Sequence, residues 1–453
     1  MNERYEPGAA RDVGATPVGP LGRLRFWLAP GMGVKRYVFM AVLGVIIVMV
    51  ATVVGALWLL GEERRAIAAP IEEVLVGDRW RTYGGWISLL VGVVGAGFAI
   101  EAIARLNRSL LSNWMPRPRD AAMLLHRRLS LSRGPRIVAF GGGTGLANAL
   151  RGLRQATSNL TAVVTVADDG GSSGRLRIAF DMPAPGDLSD CLAALSDHEV
   201  EVSRLMDYRF ARGDELRGHT FGNLLIATLS EVEGDFGQAT RVLNRLLNLS
   251  GAVWPVTAQP VGLVAHKDGG VVARGESYLR TVPGRVRELA LEPADVRALP
   301  EVVQATHHAN LVVLGPGSLY TSVLAPLVVD EVRTALRRGK APVVYVCNIM
   351  TEAGETDGMT AFEHARAIFD HLGRWPDLVL LNDAPIDAAR REAYHGEGAE
   401  PVDPDLASFA HQGVPVRALP LLGPGPHAQH DPERLAGELI GLAWAARSGE
   451  VLA

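Results

Sequence analysis

Cysteine is nearly absent from this sequence of 453 residues: Cys191 and Cys347 stand far apart, outside any CxxC or Cys/His spacing. That excludes a disulfide framework and a cysteine-based metal site, and suits two buried thiols in a reducing compartment. An excess of positive charge is absent too. With 45 Lys and Arg against 49 Asp and Glu, the net charge of −4 gives no global field for a nucleic acid, and no such partner is expected. Several signatures are missing as well. No Lys-Ser/Thr pair completes a Walker loop, Leu146 sits where the third glycine of GxGxxG belongs, and there is no nucleophile elbow or Ser-His-Asp order. His307-His308 lacks metal-ligand spacing and reads as helix surface.

What the sequence does contain divides it in two. Residues 1–36 are rich in Gly, Pro and Arg and read as a disordered basic arm. Tyr37 to Leu60 then runs for 24 residues without a charge, enough to span a bilayer core of ~30 Å at about 1.5 Å per residue. Tyr83 to Ile100 is a second charge-free run of 18, with Trp86 as an interfacial anchor. The two predict a transmembrane helical hairpin over 37–100. A signal peptide fits worse, because the first apolar core is too long and a second span follows.

Charge then orients the hairpin. Arg4, Arg11, Arg23, Arg25, Lys35 and Arg36 precede it and seven arginines lie between Arg105 and Arg133, against Arg64, Arg65, Arg79 and Arg81 in the loop. Both flanks therefore favour the cytoplasm, giving two spans in the inner membrane with both termini and the main domain inside. Residues 101–134 carry Leu106, Leu110, Leu111, Met115, Leu124, Leu125 and Leu129 among arginines. Either an amphipathic juxtamembrane linker against acidic headgroups or a solvated connector fits them.

From Pro135 onward, apolar strands alternate with helical patterns, the mark of an α/β domain over 135–453 with a largely parallel sheet. Arg136 to Phe140 reads as a buried strand, and Leu146, Leu150 and Leu153 recur at helical spacing after it. Gly141 to Gly145 thus form a strand-to-helix turn. Backbone N–H groups and the helix dipole converge there, which suits a phosphate, and Thr144 adds a hydroxyl; such turns also serve close packing alone. Leu160 to Val166 is the next strand, and Asp168 follows a little over twenty residues beyond the glycine turn, where a dinucleotide fold places its ribose-binding acid. Later strands are expected at Asn310 to Leu314, Pro342 to Val346 and Leu378 to Leu381.

Polar loops follow these strands, at the sheet edge where open α/β folds bind ligands. Asp168-Asp169-Gly170-Gly171-Ser172-Ser173 offers two carboxylates for ribose hydroxyls or a Mg²⁺, and two hydroxyls. Gly315, Gly317, Ser318 and Tyr320 fall in the loop after Leu314, and Asn348 and Thr351 in the loop after Val346. Asp187 opens a helix as a cap or a ligand contact, and Asn223 stands in the polar helix start His219-Thr220-Phe221-Gly222-Asn223. Asp431-Pro432-Glu433 is an N-cap with proline at the first helical position, a structural signature.

The set GGGTGLANALRGLR, TVADDGGSSGRLR, PGDLSDCLAALSD, HTFGNLLIATL, LGPGSLYTSVLAPLVV and CNIMTEAGET, in order across about 135–445, closely resembles the bacterial gluconeogenesis factor family, the YvcK-like proteins. That family is related to archaeal 2-phospho-L-lactate transferase, a Rossmann-like enzyme that joins a phospholactyl group from a guanylylated donor to a deazaflavin. The resemblance implies a Rossmann-like three-layer domain that binds a UDP-sugar such as UDP-N-acetylglucosamine and acts in cell-envelope precursor supply and cell shape on gluconeogenic carbon. It also implies a protein partner in envelope precursor synthesis and a homo-oligomer. The expected ligand-binding set is Gly142, Gly143, Thr144, Gly145, Asp168, Asp169, Ser172, Ser173, Asp187, Asn223, Gly315, Gly317, Ser318, Tyr320, Asn348 and Thr351, with Asp168 and Asp169 as candidates for a nucleotide-borne Mg²⁺. The pattern departs from the transferase at Asn148, where a Lys follows its GGTG, and at Gly171, where a bulky aromatic stands. Loss of that cation favours a nucleotide-binding regulator without strong catalysis over the alternative, a group transferase with a nucleotide-activated donor.

Overall fold

A computed structural model describes residues 35–59, 77–114 and 121–450. Most of the basic arm, the loop arginines Arg64 and Arg65, and Met115 lie outside the described residues. The chain divides into two compact units, Met1–His126 and Arg127–Ala453.

In the first unit, Lys35–Leu59 and Gly77–Trp114 are helices. They pack antiparallel: a Cβ on Gly44 would meet Ala99 at 2.8 Å, and one on Gly95 would meet Ile47 at 2.7 Å, so small residues set how closely the backbones approach. Their large apolar side chains mostly point outward, Phe39 and Trp86 being 70% and 71% exposed. Both helices are long and apolar enough to cross a membrane. The second outruns the expected 83–100, because charge does not stop a helix. Glu101 and Arg105 form an i,i+4 pair at 2.8 Å, and no proline lies between Gly77 and Pro116. What reads as linker from residue 101 is therefore helical to Trp114, and Ala121–Ser132 is a further helix.

The second unit is built on seven parallel strands: β1 (Ile137–Gly141), β2 (Leu160–Val164), β3 (Ala252–Pro255), β7 (Leu311–Leu314), β8 (Val343–Val346), β9 (Leu378–Asn382) and β10 (Val416–Leu419). Their order is β10-β9-β8-β7-β1-β2-β3. Ile137 of β1 registers with Leu160 on one side and Leu311 on the other. β1, β7 and β8 are buried at every residue, so side chains of both pleat directions are covered. That is why these strands read as unbroken apolar runs rather than alternating ones. The helix Gly143–Leu153 after β1 buries Leu146, Leu150 and Leu153 and packs against the helices Gly186–Leu195 and Pro432–Ser448. Asp431 caps the last of these, accepting from the Glu433 and Arg434 amides. His307 and His308 are exposed at the end of the helix Pro300–His308.

Between β3 and β7 the chain forms an element that its apolar runs do not announce: a three-stranded antiparallel sheet of β4 (Gly262–Lys267), β5 (Val272–Arg274) and β6 (Val286–Glu292), in the order β5-β4-β6. A six-residue helix, Glu276–Thr281, joins β5 to β6. Buried Lys267 fastens this insertion by donating from Nζ to the carbonyls of Leu279 (2.8 Å), Val282 and Gly354 (3.0 Å).

Candidate functional site

The strand order fixes where a ligand can enter. From β1 the chain winds outward through β2 and β3, crosses back to β7 on the other side of β1, and winds outward again through β10. Loops leaving β1 and β7 therefore diverge, which opens a crevice at the carboxyl ends of the strands. A cavity of about 400 Å³ lies there, walled by the loops that follow β1, β2, β7, β8, β9 and β10.

The glycine turn forms its floor. Gly142 to Gly145 all face the cavity, and no side chain caps the helix Gly143–Leu153, so its first amides remain open to an anion. Gly143 is left-handed at φ +57°, and a Cβ on Gly145 would stand 2.7 Å from the Pro316 carbonyl oxygen. Gly145 thus lets the β1 and β7 loops touch. Asp187, in the first turn of Gly186–Leu195, lays its carboxylate against Gly142. Burial raises its pKa well above the ordinary range, with Glu276, Asp168 and Asp190 adding to the rise and Arg280 opposing it.

The insertion supplies the roof on this side. Its short helix points Glu276 and Arg280 into the cavity, and Arg280 is the only Lys or Arg in the wall among the described residues. The Arg280 guanidinium lies 3.0 Å from Glu276, 2.9 Å from the buried Glu355 and 4.0 Å from Glu352, and donates to Ser318 Oγ at 3.5 Å. Four carboxylates thus line the space: Asp168, Asp187, Glu276 and Glu352. Burial pushes Glu276 up to about 7 against the pull of Arg280, and burial with the neighbouring Glu355 pushes Glu352 up to about 7.

Ten of the residues singled out in the sequence meet at this cavity: Gly142, Gly143, Thr144, Gly145, Asp168, Asp187, Gly317, Ser318, Asn348 and Thr351. Asn348 and Thr351 are among those that spend their side chains on the protein. Asn348 accepts from the Gly317 amide (3.3 Å) and donates to Glu352 (3.1 Å), while Thr351 exchanges two hydrogen bonds with Glu400. The other six stand apart, each for a physical reason. Asp169 turns away to accept from the amide (2.9 Å) and hydroxyl (2.7 Å) of Ser277. Ser172, Ser173 and Asn223 satisfy one another in the interior. Asn223 Nδ2 donates to both serine oxygens, at 3.2 and 3.3 Å, and Ser172 Oγ also bonds His219 Nδ1 at 3.0 Å. Left unpaired, such buried groups would cost about 1–3 kcal/mol each. Tyr320 is buried with its hydroxyl on the Val286 carbonyl, and Gly315 forms the turn out of β7, its amide on the Phe140 carbonyl at 2.8 Å.

Several lining residues carry no signal of their own in the sequence: Glu276 and Arg280 in the insertion, Tyr394, and Gln429-His430 beside the cap Asp431. Glu352 does sit inside the conspicuous CNIMTEAGET stretch. Asn148 lines the cavity too, with its Nδ2 donating to the His430 carbonyl. Among the described residues no three His, Cys, Asp or Glu side chains are grouped to hold a metal by themselves. With Asp169 turned away, Asp168 and Asp187 are the carboxylates that can offer oxygens to a cation carried in by a phosphate ligand.

Residues 137–422 match the family model described as 2-phospho-L-lactate transferase CofD. The chain is 44% identical to a gluconeogenesis-factor protein of Deinococcus radiodurans, over 97% of this chain and 95% of that one. It is 39% identical to the gluconeogenesis factor of Bacillus subtilis, over 69% of this chain and 99% of that one. A crystal structure of a Bacillus halodurans protein superposes with a TM-score of 0.66 at 38% identity, covering 68% of this chain and all of that one. The Deinococcus match thus takes in the N-terminal helices, whereas the two Bacillus proteins are used up within about two thirds of the chain.

Proposed function

Since this chain belongs to the gluconeogenesis factor family, with the domain of the 2-phospho-L-lactate transferase CofD model, we propose that it is a membrane-anchored regulator that binds a UDP-sugar of the UDP-N-acetylglucosamine type in the switch-point cavity. In this role it acts on cell-envelope precursor supply and cell shape, through a protein partner and as a homo-oligomer. One observation carries the reading: an uncapped glycine-rich turn suited to a diphosphate sits beside carboxylates suited to sugar hydroxyls. The diphosphate brings negative charge to four acids and one arginine, so its binding requires protonation of the wall or an accompanying Mg²⁺. Asp168 and Asp187 are the residues to hold that Mg²⁺, whose chemistry is to neutralise the diphosphate.

The test is titration calorimetry of the full-length protein in detergent micelles with UDP-N-acetylglucosamine, other UDP-sugars, UDP and GDP, with and without Mg²⁺. Micromolar binding of UDP-sugars with no phospholactyl transfer to a deazaflavin is the expected result. Efficient transfer would make the protein a group transferase instead. The anchor is the pair of apolar helices, inserted with both termini in the cytoplasm because arginines crowd both flanks. A periplasm-specific reporter joined after Ala453 should stay silent, and activity there would reverse the orientation.

A further inference from the structure

The cavity wall carries a single cation among the described residues, Arg280, and the protein leaves part of it unspent. Arg280 stands on the helix Glu276–Thr281, six residues long and too short to hold itself. Backbone contacts fix its root. Lys267 takes the carbonyls of Leu279 and Val282, and a Cβ on Gly354, at φ +80°, would fall on the Arg280 carbonyl oxygen, so the helix is seated directly on the loop after β8. The insertion is thus fastened without the Arg280 side chain. The guanidinium itself is fixed along one edge. Nε donates to Glu355 Oε1 at 2.9 Å, and Nη2 faces Glu276 at 3.0 Å and Ser318 Oγ at 3.5 Å. Nη1 pairs with no described residue, which leaves two of the five N–H donors without an acceptor. The side chain of Glu355 is wholly buried, yet only its Oε1 is used, by Arg280 and by the Thr321 hydroxyl at 3.2 Å, while Oε2 has no partner. A guanidinium turned to meet both oxygens would satisfy that carboxylate. This one stays 45% exposed on the cavity wall with Nη1 open.

Resting on the reading of this cavity as a nucleoside-diphosphate site, we propose that Arg280 binds the second phosphate of the diphosphate, the first lying on the glycine turn, and so makes the cavity selective for a diphosphate over a monophosphate. Position supports this. A Cβ on Gly145 would stand 2.7 Å from the Pro316 carbonyl oxygen and one on Gly317 3.5 Å from the Gly142 carbonyl oxygen, so the β7 loop lies against the turn. The next residue, Ser318, is the one that Arg280 reaches. The open amides and the guanidinium therefore flank the same short loop, close enough for neighbouring phosphates of one ligand. Charge gives the selectivity. Asp168, Asp187, Glu276 and Glu352 oppose every added negative charge, so a second phosphate gains affinity only where a cation meets it. A lysine would not serve equally: its ammonium is a single point, whereas the guanidinium keeps Nε on Glu355 while Nη1 donates to the phosphate.

Calorimetric titrations of UDP, UMP and inorganic pyrophosphate into the full-length protein in micelles test this, at one pH and one Mg²⁺ concentration, each beside a ligand-free melting curve. The native protein should favour UDP over UMP by at least about tenfold, the effect of one charge-assisted contact. Arg280→Gln combined with Glu355→Gln removes the cation without leaving a buried carboxylate unpaired. It should bring the ratio to within about threefold of one and abolish pyrophosphate binding. Arg280→Lys keeps the charge and the pair with Glu355 but has no second edge, and should lose most of the preference; it decides if the double variant fails to fold. A merely structural Arg280 would lower the melting temperature and leave the ratio unchanged. UDP binding without preference over UMP, or a native ratio in either variant, overturns the role of Arg280 and leaves the nucleotide reading standing. Pyrophosphate binding that needs Arg280, with no binding of UDP, keeps that role and overturns the nucleotide reading. Binding of neither overturns both.

Discussion

The turns after β1 and β2 look alike in the sequence, GGGTG against DDGGSSG, and the fold uses them in opposite ways. All of Gly142 to Gly145 faces the cavity; of the second turn only Asp168 does. Apart from Thr144 the first turn has no side chains to commit, and none caps its helix, so its amides stay free for a ligand. The second turn is rich in groups that bond, and the protein consumes them: Asp169 holds the insertion, while Ser172 and Ser173 are locked to Asn223 and His219. Polar side chains in a loop thus measure bonding capacity, not availability, and two tightly packed partners are enough to exhaust it.

Substitutions in the two turns should separate accordingly, and the largest effect belongs to the first. Gly143→Val forces a β-branched residue to φ +57° and adds bulk near Asp187, whose Oδ1 would lie 3.4 Å from the new Cβ. UDP-sugar affinity should fall more than about a hundredfold while the ligand-free melting temperature drops by only a few degrees. A folded variant with native affinity would remove the phosphate from this turn.

Asp168→Asn comes next. Asp168 Oδ1 accepts from the Gly170 amide at 2.8 Å, a bond that asparagine keeps, so only the charge is lost. Charge-assisted contacts to ribose or sugar hydroxyls contribute about 1.5–3 kcal/mol, so affinity should weaken roughly tenfold to a hundredfold with unchanged ligand-free stability. Calorimetry beside a melting curve separates this from a purely structural role, in which stability would fall and affinity would hold.

A smaller effect follows from pH. Glu276 and Glu352 titrate at about 7 in the folded protein against an ordinary value of 4.5, so the folded state binds more protons than the unfolded state between those values. Stability without ligand must then decline as pH rises from about 5 to about 8. The ligand-free melting temperature should be a few degrees higher at pH 6 than at pH 8, and Glu276→Gln should shrink that difference. In the absence of Mg²⁺, UDP should also bind more tightly at pH 6. A melting temperature that rises with pH across this window would contradict the upward shift of these buried carboxylates.

The smallest change in affinity should come from Asp169→Ala. It loses two hydrogen bonds to Ser277 and about 1–2 kcal/mol of stability, yet UDP-sugar affinity should stay within about threefold of native. A hundredfold loss would place Asp169 with Asp168 and erase the contrast between the turns.

How much of this was legible follows from what a one-dimensional pattern records. The strands β1, β2, β7, β8 and β9 stand out because burial on both faces demands apolar residues throughout, and the loops that follow them mark the crevice. The antiparallel insertion does not stand out. β6 reads buried-exposed-exposed-buried-intermediate-buried-exposed, too irregular to declare a period, and its partner β4 lies some twenty residues upstream. Arg280 and Glu276 were hidden with it. The choice between Asp168 and Asp169 depends on which way two adjacent side chains point, and Ser277 decides that from outside the loop. His430 was masked by its neighbour, since Asp431-Pro432 already had a sufficient explanation as a helix start.

The insertion also leaves and rejoins the domain at one place. Gly262, where it departs, is paired in antiparallel register with Glu292, where it returns, so the two ends lie about 5 Å apart. A segment with such ends can be exchanged, shortened or grafted between relatives by closing a tight turn, without shifting a strand of the parallel sheet. The glycine turn belongs to the sheet, whereas Arg280 and Glu276 belong to the exchangeable segment. Inheritance can therefore preserve the glycine turn while the charge above it is rewritten, and on the proposed UDP-sugar reading a chimaera carrying another relative's insertion should take on that relative's ligand preference.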